Sequence, residues 1–298
     1  MPGRNPIAKK KTGKAPAADL KTMPIEFHKM HGAGNDFVLI DARRQVFVIG
    51  PESAARIADR HLGIGCDQIL VLREASSPGS LLRYEIWNLD GSAAGQCGNG
   101  ARCVGLFIEL SDGYPGAPFR VESPSGVVTM RRCDDGEYEL DMGVPEFSPD
   151  KVPLTLEPIA GMFSLESPRG CVEFGAVSMG NPHALVVVSD IEDPAIPETG
   201  RWLGAHGSFP EGVNAGFAEI TDANSIRLRV MERGAGETLA CGSGACAAVA
   251  ILRQRGLVED RVEVFLPGGR LVIKWPGNKE TLLMKGPAKH VFRGTMNE

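Results

Sequence analysis

The sequence predicts an α+β fold of two pseudo-symmetric domains, each a curved, mainly antiparallel sheet wrapped around one central buried helix. Three observations carry that prediction. Gly34-Asn35 followed by the apolar run Phe37-Val38-Leu39-Ile40 returns 146 residues later as Gly180-Asn181 followed by Ala184-Leu185-Val186-Val187-Val188. Cys97-Gly98-Asn99-Gly100-Ala101 returns 144 residues later as Cys241-Gly242-Ser243-Gly244-Ala245. Two motif pairs in one order, at nearly one offset, mark a duplication. Each half also holds one segment that is apolar or small around most of its circumference, 99–111 and 243–255. A helix apolar all round is a buried helix.

Taken in order, residues 1–22 carry five lysines and Arg4 against one acid, Asp19, a charge of +5 that leaves −10 for the rest of a chain whose net charge is −5. Such a basic tail, poor in large apolar residues, cannot bury a core and is expected to be a disordered extension. The N-terminal half is expected at 23–145 and the C-terminal half at 146–286. A segment at 287–298 can return to the N-terminal half. Between the repeats lie short β-rich stretches bounded by Gly, Pro, Asp and Asn turns, such as 82–87, 127–130 and 226–230. In the last of these, apolar and basic residues alternate as on a half-buried strand. Gly256 stands where the second helix should stop.

Composition narrows the function. A net charge of −5 argues against nucleic acid as the main partner. The longest apolar runs are too short to span a bilayer, and no apolar stretch follows the early basic residues as a secretory signal would require. Seven cysteines form an odd set that fits free thiols in a reducing cytoplasm. Zinc ligands usually pair as C-x2–4-C. Cys97 and Cys103 are six apart and Cys241 and Cys246 five apart, so no metal site is expected, though a non-catalytic thiol or zinc module stays as an alternative.

Each repeated cysteine precedes the start of its helix. Unpaired N–H groups and the positive helix end there favour a thiolate and form a site for a carboxylate. A modest downward shift from an ordinary thiol pKa of about 8.5 would give a mixture of thiol and thiolate suited to moving protons either way. Two equivalent helix ends facing one cleft would place a sulfur on each side of a bound molecule. Inverting a carbon stereocentre needs that arrangement, a base on one face and an acid on the other. No cofactor is needed, and the only lysine close to the motifs is Lys29.

His31-Gly32-Ala33-Gly34-Asn35-Asp36-Phe37, Gly65-Cys66-Asp67-Gln68, Asn88-Leu89-Asp90-Gly91-Ser92 and the run from Cys97 to Cys103 resemble the diaminopimelate epimerase family. So do Gly180-Asn181-Pro182-His183, Val213 to Phe217, and Glu232 to Thr238 followed by Cys241-Gly242-Ser243-Gly244. The resemblance runs from about residue 25 to the C-terminus. It implies a cytoplasmic homodimer that interconverts LL- and meso-diaminopimelate, without cofactor, in lysine and peptidoglycan precursor synthesis. It implies Cys97 and Cys241 as the proton-transfer pair, tuned by His183 and Glu232. Gly98, Asn99, Gly242 and Ser243 would contact the reacting carboxylate. Asn35, Gln68, Asn88, Asn181, Asn214, Glu232 and Arg233 would hold the rest of the substrate. The residue types suit a ligand with two amino acid ends, since Arg clamps a carboxylate and amides both donate and accept. A racemase of the proline type shares the paired-cysteine logic and is the nearest rival among enzymes. The family commonly carries a bulkier residue at Ala33 and an aromatic at Cys66, whose expected role here is packing.

Overall fold

The computed structural model describes residues 24–116 and 118–297, so the basic extension at 1–22 lies outside the described residues. The first half runs β1 (Ile25–Gly32), β2 (Asn35–Asp41), α1 (Pro51–Ala58), β3 (Gln68–Arg73), β4 (Arg83–Asn88), α2 (Gly98–Asp112), β5 (Phe119–Ser123), β6 (Gly126–Arg132) and β7 (Tyr138–Asp141). The second half opens with a hairpin strand, β8 (Phe163–Ser167). That half runs β9 (Gly170–Ser178), β10 (Pro182–Val187), α3 (Ile196–Gly204), β11 (Asn214–Asp222), β12 (Ser225–Glu232), β13 (Gly236–Thr238), α4 (Gly242–Gln254), β14 (Arg261–Leu266), β15 (Gly269–Lys274) and β16 (Leu283–Gly286). The last strand is β17 (Lys289–Met296).

The pairing repeats strand for strand. In the first half β1 is antiparallel to β2, β2 parallel to β3, and β3 antiparallel to β4. In the second half β9, β10, β11 and β12 pair in the same three senses. A parallel step then leads to an antiparallel meander in each half, β5–β6–β7 and β14–β15–β16. The outer edges are treated alike, with β17 on β1 and β8 on β9. Antiparallel pairs dominate, as expected for an α+β chain.

The halves join where β7 pairs antiparallel with β16. There Leu140 lies opposite Met284, its own repeat 144 residues on, so the local two-fold axis passes between them.

Two buried helices fill the two sheets. Every residue of α2 from Gly98 to Gly105 is buried, as is every residue of α4 from Gly244 to Leu252. They share one continuous apolar cluster that includes Leu70, Tyr138, Val230, Leu271 and Met284. The second helix ends at a left-handed glycine, Gly256, at φ 70°. The shorter helices α1 and α3, which sequence periodicity did not single out, cover the outer faces of the sheets. Ala54 and Ile57 pack over Val38 and Ile69, and Ile196 and Leu203 over Phe217 and Met231. Each is only about two turns long and buries three residues, too few for a periodic signal. Among the described residues, no helix is long and apolar enough to cross a membrane.

Candidate active site

The two cysteines stand at matched places. Cys97 is the N-cap of α2 with extended backbone (φ −148°), and Cys241 is the N-cap of α4 (φ −109°). Gly98, Asn99, Gly242 and Ser243 occupy the first two positions of their helices, where main-chain N–H groups have no partner within the helix. Both turns converge on the local two-fold axis through Met284. A Cβ on Gly98 would lie 2.3 Å from Met284 Cε, and one on Gly242 would lie 3.1 Å from Met284 Sδ. Packing against Met284, not backbone angle, is what favours glycine at both positions.

The environments of the sulfurs differ. The Cys97 thiol accepts from the Gly100 N–H at 3.4 Å and donates to Asn35 Oδ1 at 3.6 Å. Asn35 begins β2, just after a tight turn in which Ala33 and Gly34 both take positive φ. The turn abuts the second half, since a Cβ on Gly268 would lie 2.2 Å from the Ala33 carbonyl oxygen. Asp67 accepts from Asn35 Nδ2 at 3.0 Å, which turns Asn35 Oδ1 toward the sulfur. Lys29, the lysine nearest the motifs, is ion-paired to Asp36 at 2.6 Å. In the second half Cys241 Sγ lies 3.6 Å from Ser243 Oγ, and Asn181 Nδ2 reaches the same hydroxyl at 3.5 Å.

Burial pushes the Cys97 thiol up to about 11; the Gly100 N–H pulls it down, but not far enough. Burial and then the Glu232 carboxylate raise Cys241 well above the ordinary thiol range. The expectation of a lowered thiol at each helix start is thus not met. One or two N–H groups do not offset removal of the thiolate from water. The two sulfurs are not equivalent: the Glu232 carboxylate raises both thiols but hydrogen-bonds only Cys241, while at Cys97 the Arg102 guanidinium favours thiolate by less than Glu232 opposes it.

Among the expected binding residues, Gln68 Nε2 donates to Asn88 Oδ1 at 2.9 Å across the β3–β4 pair. Asn214 is buried, donates to the Pro182 carbonyl at 3.1 Å, and accepts from the Arg233 N–H at 2.9 Å. The Arg233 guanidinium donates to the Glu211 carbonyl at 2.6 Å through Nη1, which leaves its other N–H groups for a ligand. Glu232 accepts from the Thr238 hydroxyl, and burial raises its carboxyl above the ordinary range. His183 is buried and held neutral, its pKa pushed down to about 3 by desolvation and then by Arg233. Among the described residues its ring bonds Asn181 Oδ1 at 3.0 Å rather than a cysteine sulfur. The Asn99 amide is fully engaged. Its Nδ2 donates to Asn35 Oδ1 at 3.2 Å and to the Ala240 carbonyl at 2.9 Å, and its Oδ1 accepts from Arg102 at 2.7 Å.

Two features escaped the sequence reading. Arg102 has no exposed surface at all. Its signal was one arginine within a segment apolar or small around most of its circumference. Asp67, which orients Asn35, sits beside Gln68 in a motif read only for the amide. Cys66 is buried among Val38, Ile40 and Ile69, as packing requires, and burial raises its thiol to about 12. Cys103 and Cys246 are likewise buried in the core.

The profile of the diaminopimelate epimerase family matches residues 27–148 and 175–291. The chain belongs to the diaminopimelate epimerase family. It is 48% identical over 282 residues to the diaminopimelate epimerase of Xanthomonas axonopodis pv. citri (strain 306), covering 94% of this chain and 99% of that one. It is 48% identical over 275 residues to the diaminopimelate epimerase of Aromatoleum aromaticum (strain DSM 19018 / LMG 30748 / EbN1), covering 92% and 99%. In fold it is similar to a hydroxyproline epimerase from Agrobacterium vitis with bound trans-4-hydroxy-L-proline. That likeness has a TM-score of 0.69 and 16% identity over 93% of this chain and 92% of the other. A Bacillus anthracis phenazine biosynthesis protein of the PhzF family gives 0.62 and 15% over 92% and 99%. The paired helix-start turns of this epimerase-family member are thus set in a fold shared with more distant proteins.

Proposed function

We propose that the chain interconverts LL- and meso-diaminopimelate by moving the α-proton between two thiols, Cys97 on one face and Cys241 on the other. The observation that carries this reading is the placement of both cysteines as N-caps of two buried helices that meet at one local two-fold axis. The reacting carboxylate sits on the N–H groups of Gly98, Asn99, Gly242 and Ser243. Charge that builds on it as the α-proton leaves is stabilised by donors already in place. Cys97, whose sulfur accepts from the Gly100 N–H, serves as the base. Cys241, beside Glu232, is the acid. After one turnover the roles are exchanged, as a reversible epimerisation requires. His183, neutral, holds Asn181 against Ser243 and so acts on Cys241 at second hand.

Asn35, Gln68, Asn88, Asn181 and Asn214 line the remainder of the site. The far carboxylate is clamped by the free edge of Arg233, and the far ammonium is met by amide oxygens and Glu232. The mechanism as written uses no cofactor and no metal. We further propose the division into halves at 23–145 and 146–286, with 287–298 belonging to the first half, where β17 lies on β1. A cytoplasmic homodimer completes the reading. Light scattering on the purified protein tests the dimer.

Purified protein given LL-diaminopimelate without added cofactor should form meso-diaminopimelate to equilibrium, and should leave L-proline and L-hydroxyproline unchanged. Turnover of proline with none of diaminopimelate would overturn the assignment.

A further inference from the structure

Among the described residues, Arg102 is the one charged side chain fully sealed in the core that the two helices share, with no exposed surface, and no acidic group bonds it. Its Nη2 donates to Asn99 Oδ1 at 2.7 Å, its Nε to the Pro287 carbonyl at 3.1 Å, and its Nη1 to the Gly98 carbonyl at 3.4 Å. Nη1 also lies 3.8 Å from Met284 Sδ, on the local axis. Two glycines make room for it. A Cβ on Gly32 would stand 3.2 Å from Nη2, and one on Gly286 would stand 3.3 Å from the guanidinium carbon. The repeat lacks this group, because position 102 corresponds to Cys246, 144 residues on. Burying an unpaired cation is costly and persists only where neutral acceptors are aimed at it.

The acceptor that matters is Asn99. An amide oxygen held by a guanidinium fixes which end of the amide is which. Asn99 Nδ2 must then point away from Arg102, and it donates both to Asn35 Oδ1, the partner of the Cys97 thiol, and to the carbonyl of Ala240, the residue before Cys241. The cation therefore controls one side chain that touches both thiol turns.

We propose that Arg102 is a positioning residue for the proton transfer, working through Asn99 to hold the two cysteine turns in mutual register. This rests on the reading of Cys97 and Cys241 as the transfer pair. Register matters to the step and little to binding. An error of about 1 Å in a reacting group can cost on the order of a hundredfold in rate.

The test is Arg102→Lys in the full-length protein. Lysine keeps the charge but cannot span Asn99, Gly98 and Pro287 with one ammonium. Rates are taken per folded molecule, with the folded fraction measured by gel filtration and circular dichroism. The expected result is a kcat lower by about tenfold or more with KM changed by less than about threefold, and an unshifted pH profile for alkylation of Cys97. A merely structural role would lower the yield of folded protein and leave kcat per folded molecule intact. If the lysine variant does not fold, Asn99→Asp tests the same link. Its carboxylate keeps the Arg102 contact but cannot donate to Asn35 or Ala240, and the same loss in kcat is expected. A kcat per folded molecule within twofold of wild type in the folded variant, with Cys97→Ser inactive in the same assay, overturns the positioning role and leaves the transfer pair standing. An active Cys97→Ser enzyme overturns the transfer pair itself.

Discussion

The two helix-start turns share a scaffold and differ in charge. Around Cys97 the repeat places Asn88, an amide, and Arg102, a buried cation; around Cys241 the same positions hold Glu232 and Cys246, each 144 residues on. Asn35 touches Asn99 in one half and Asn181 touches Ser243 in the other, at 3.2 and 3.5 Å. The duplication therefore kept the groups that shape the site and varied the groups that set its potential. A symmetric site would leave the resting protonation state undecided. In the proposed mechanism Glu232, which hydrogen-bonds Cys241 and reaches Cys97 only through space, distinguishes the acid from the base, so that a turnover has a defined starting point.

The comparison can be broken most severely at the sulfurs. Cys97→Ala and Cys241→Ala should each lose epimerase activity by about two to four orders of magnitude, the worth of a positioned acid or base. Progress curves from LL- and from meso-diaminopimelate check this, and a variant with half the wild-type rate in either direction would dissolve the pairing.

Arg233→Lys comes next. Loss of a planar two-bond contact to a carboxylate costs on the order of 1.5–3 kcal/mol, a tenfold drop in kcat/KM or more. An unchanged kcat/KM would remove Arg233 from the clamp.

His183 gives a smaller effect, seen in stability. Its pKa in the folded protein is pushed down to about 3, below the unfolded value of about 6.5. The unfolded chain therefore binds the proton first, and stability is lost as pH falls from 6.5 toward 3. At pH 5 this amounts to about 2 kcal/mol, from the 1.36 kcal/mol carried by each pH unit. Urea unfolding at pH 5 and pH 7.5 should show His183→Gln losing less stability on acidification than wild type. Parallel losses in the two proteins would mean that His183 is not the buried titrating group.

An effect of similar size to that of His183 is expected at the axis. Gly98→Ala forces Met284 Cε to move from a 2.3 Å overlap, while Gly242→Ala asks the sulfur to yield from 3.1 Å. Overpacking of this kind costs about 1–3 kcal/mol, and the first variant should melt at the lower temperature. Equal melting temperatures would mean that Met284 yields as easily to both.

The duplication was legible because Cys-Gly-x-Gly turns and all-apolar helices survive divergence when backbone must approach a ligand and a helix must be buried. The helices at 98–112 and 242–254 fell within a residue or so of the segments read from sequence. The pairing of β7 with β16 was not legible, since register across a two-fold axis leaves no periodic mark. The direction of the thiol shifts was misread for a physical reason. A helix start is visible in sequence, but the depth at which it is buried is not, and at Cys97 and Cys241 burial outweighs the N–H groups. Arg102 was quoted within a motif and given no role, because an arginine four residues into a helix reads as solvated unless its partners are known to be carbonyls.

The central claim is that two different sulfurs serve the two faces of one carbon. A thiol carries a single proton, so the sulfur that takes the substrate proton cannot return a solvent proton in the same turnover. The most direct measurement is epimerisation in deuterated water, stopped early, with mass analysis of separated product and substrate. Deuterium is expected at the inverted carbon of the product, with little in recovered substrate. Recovered substrate labelled as heavily as product would contradict it.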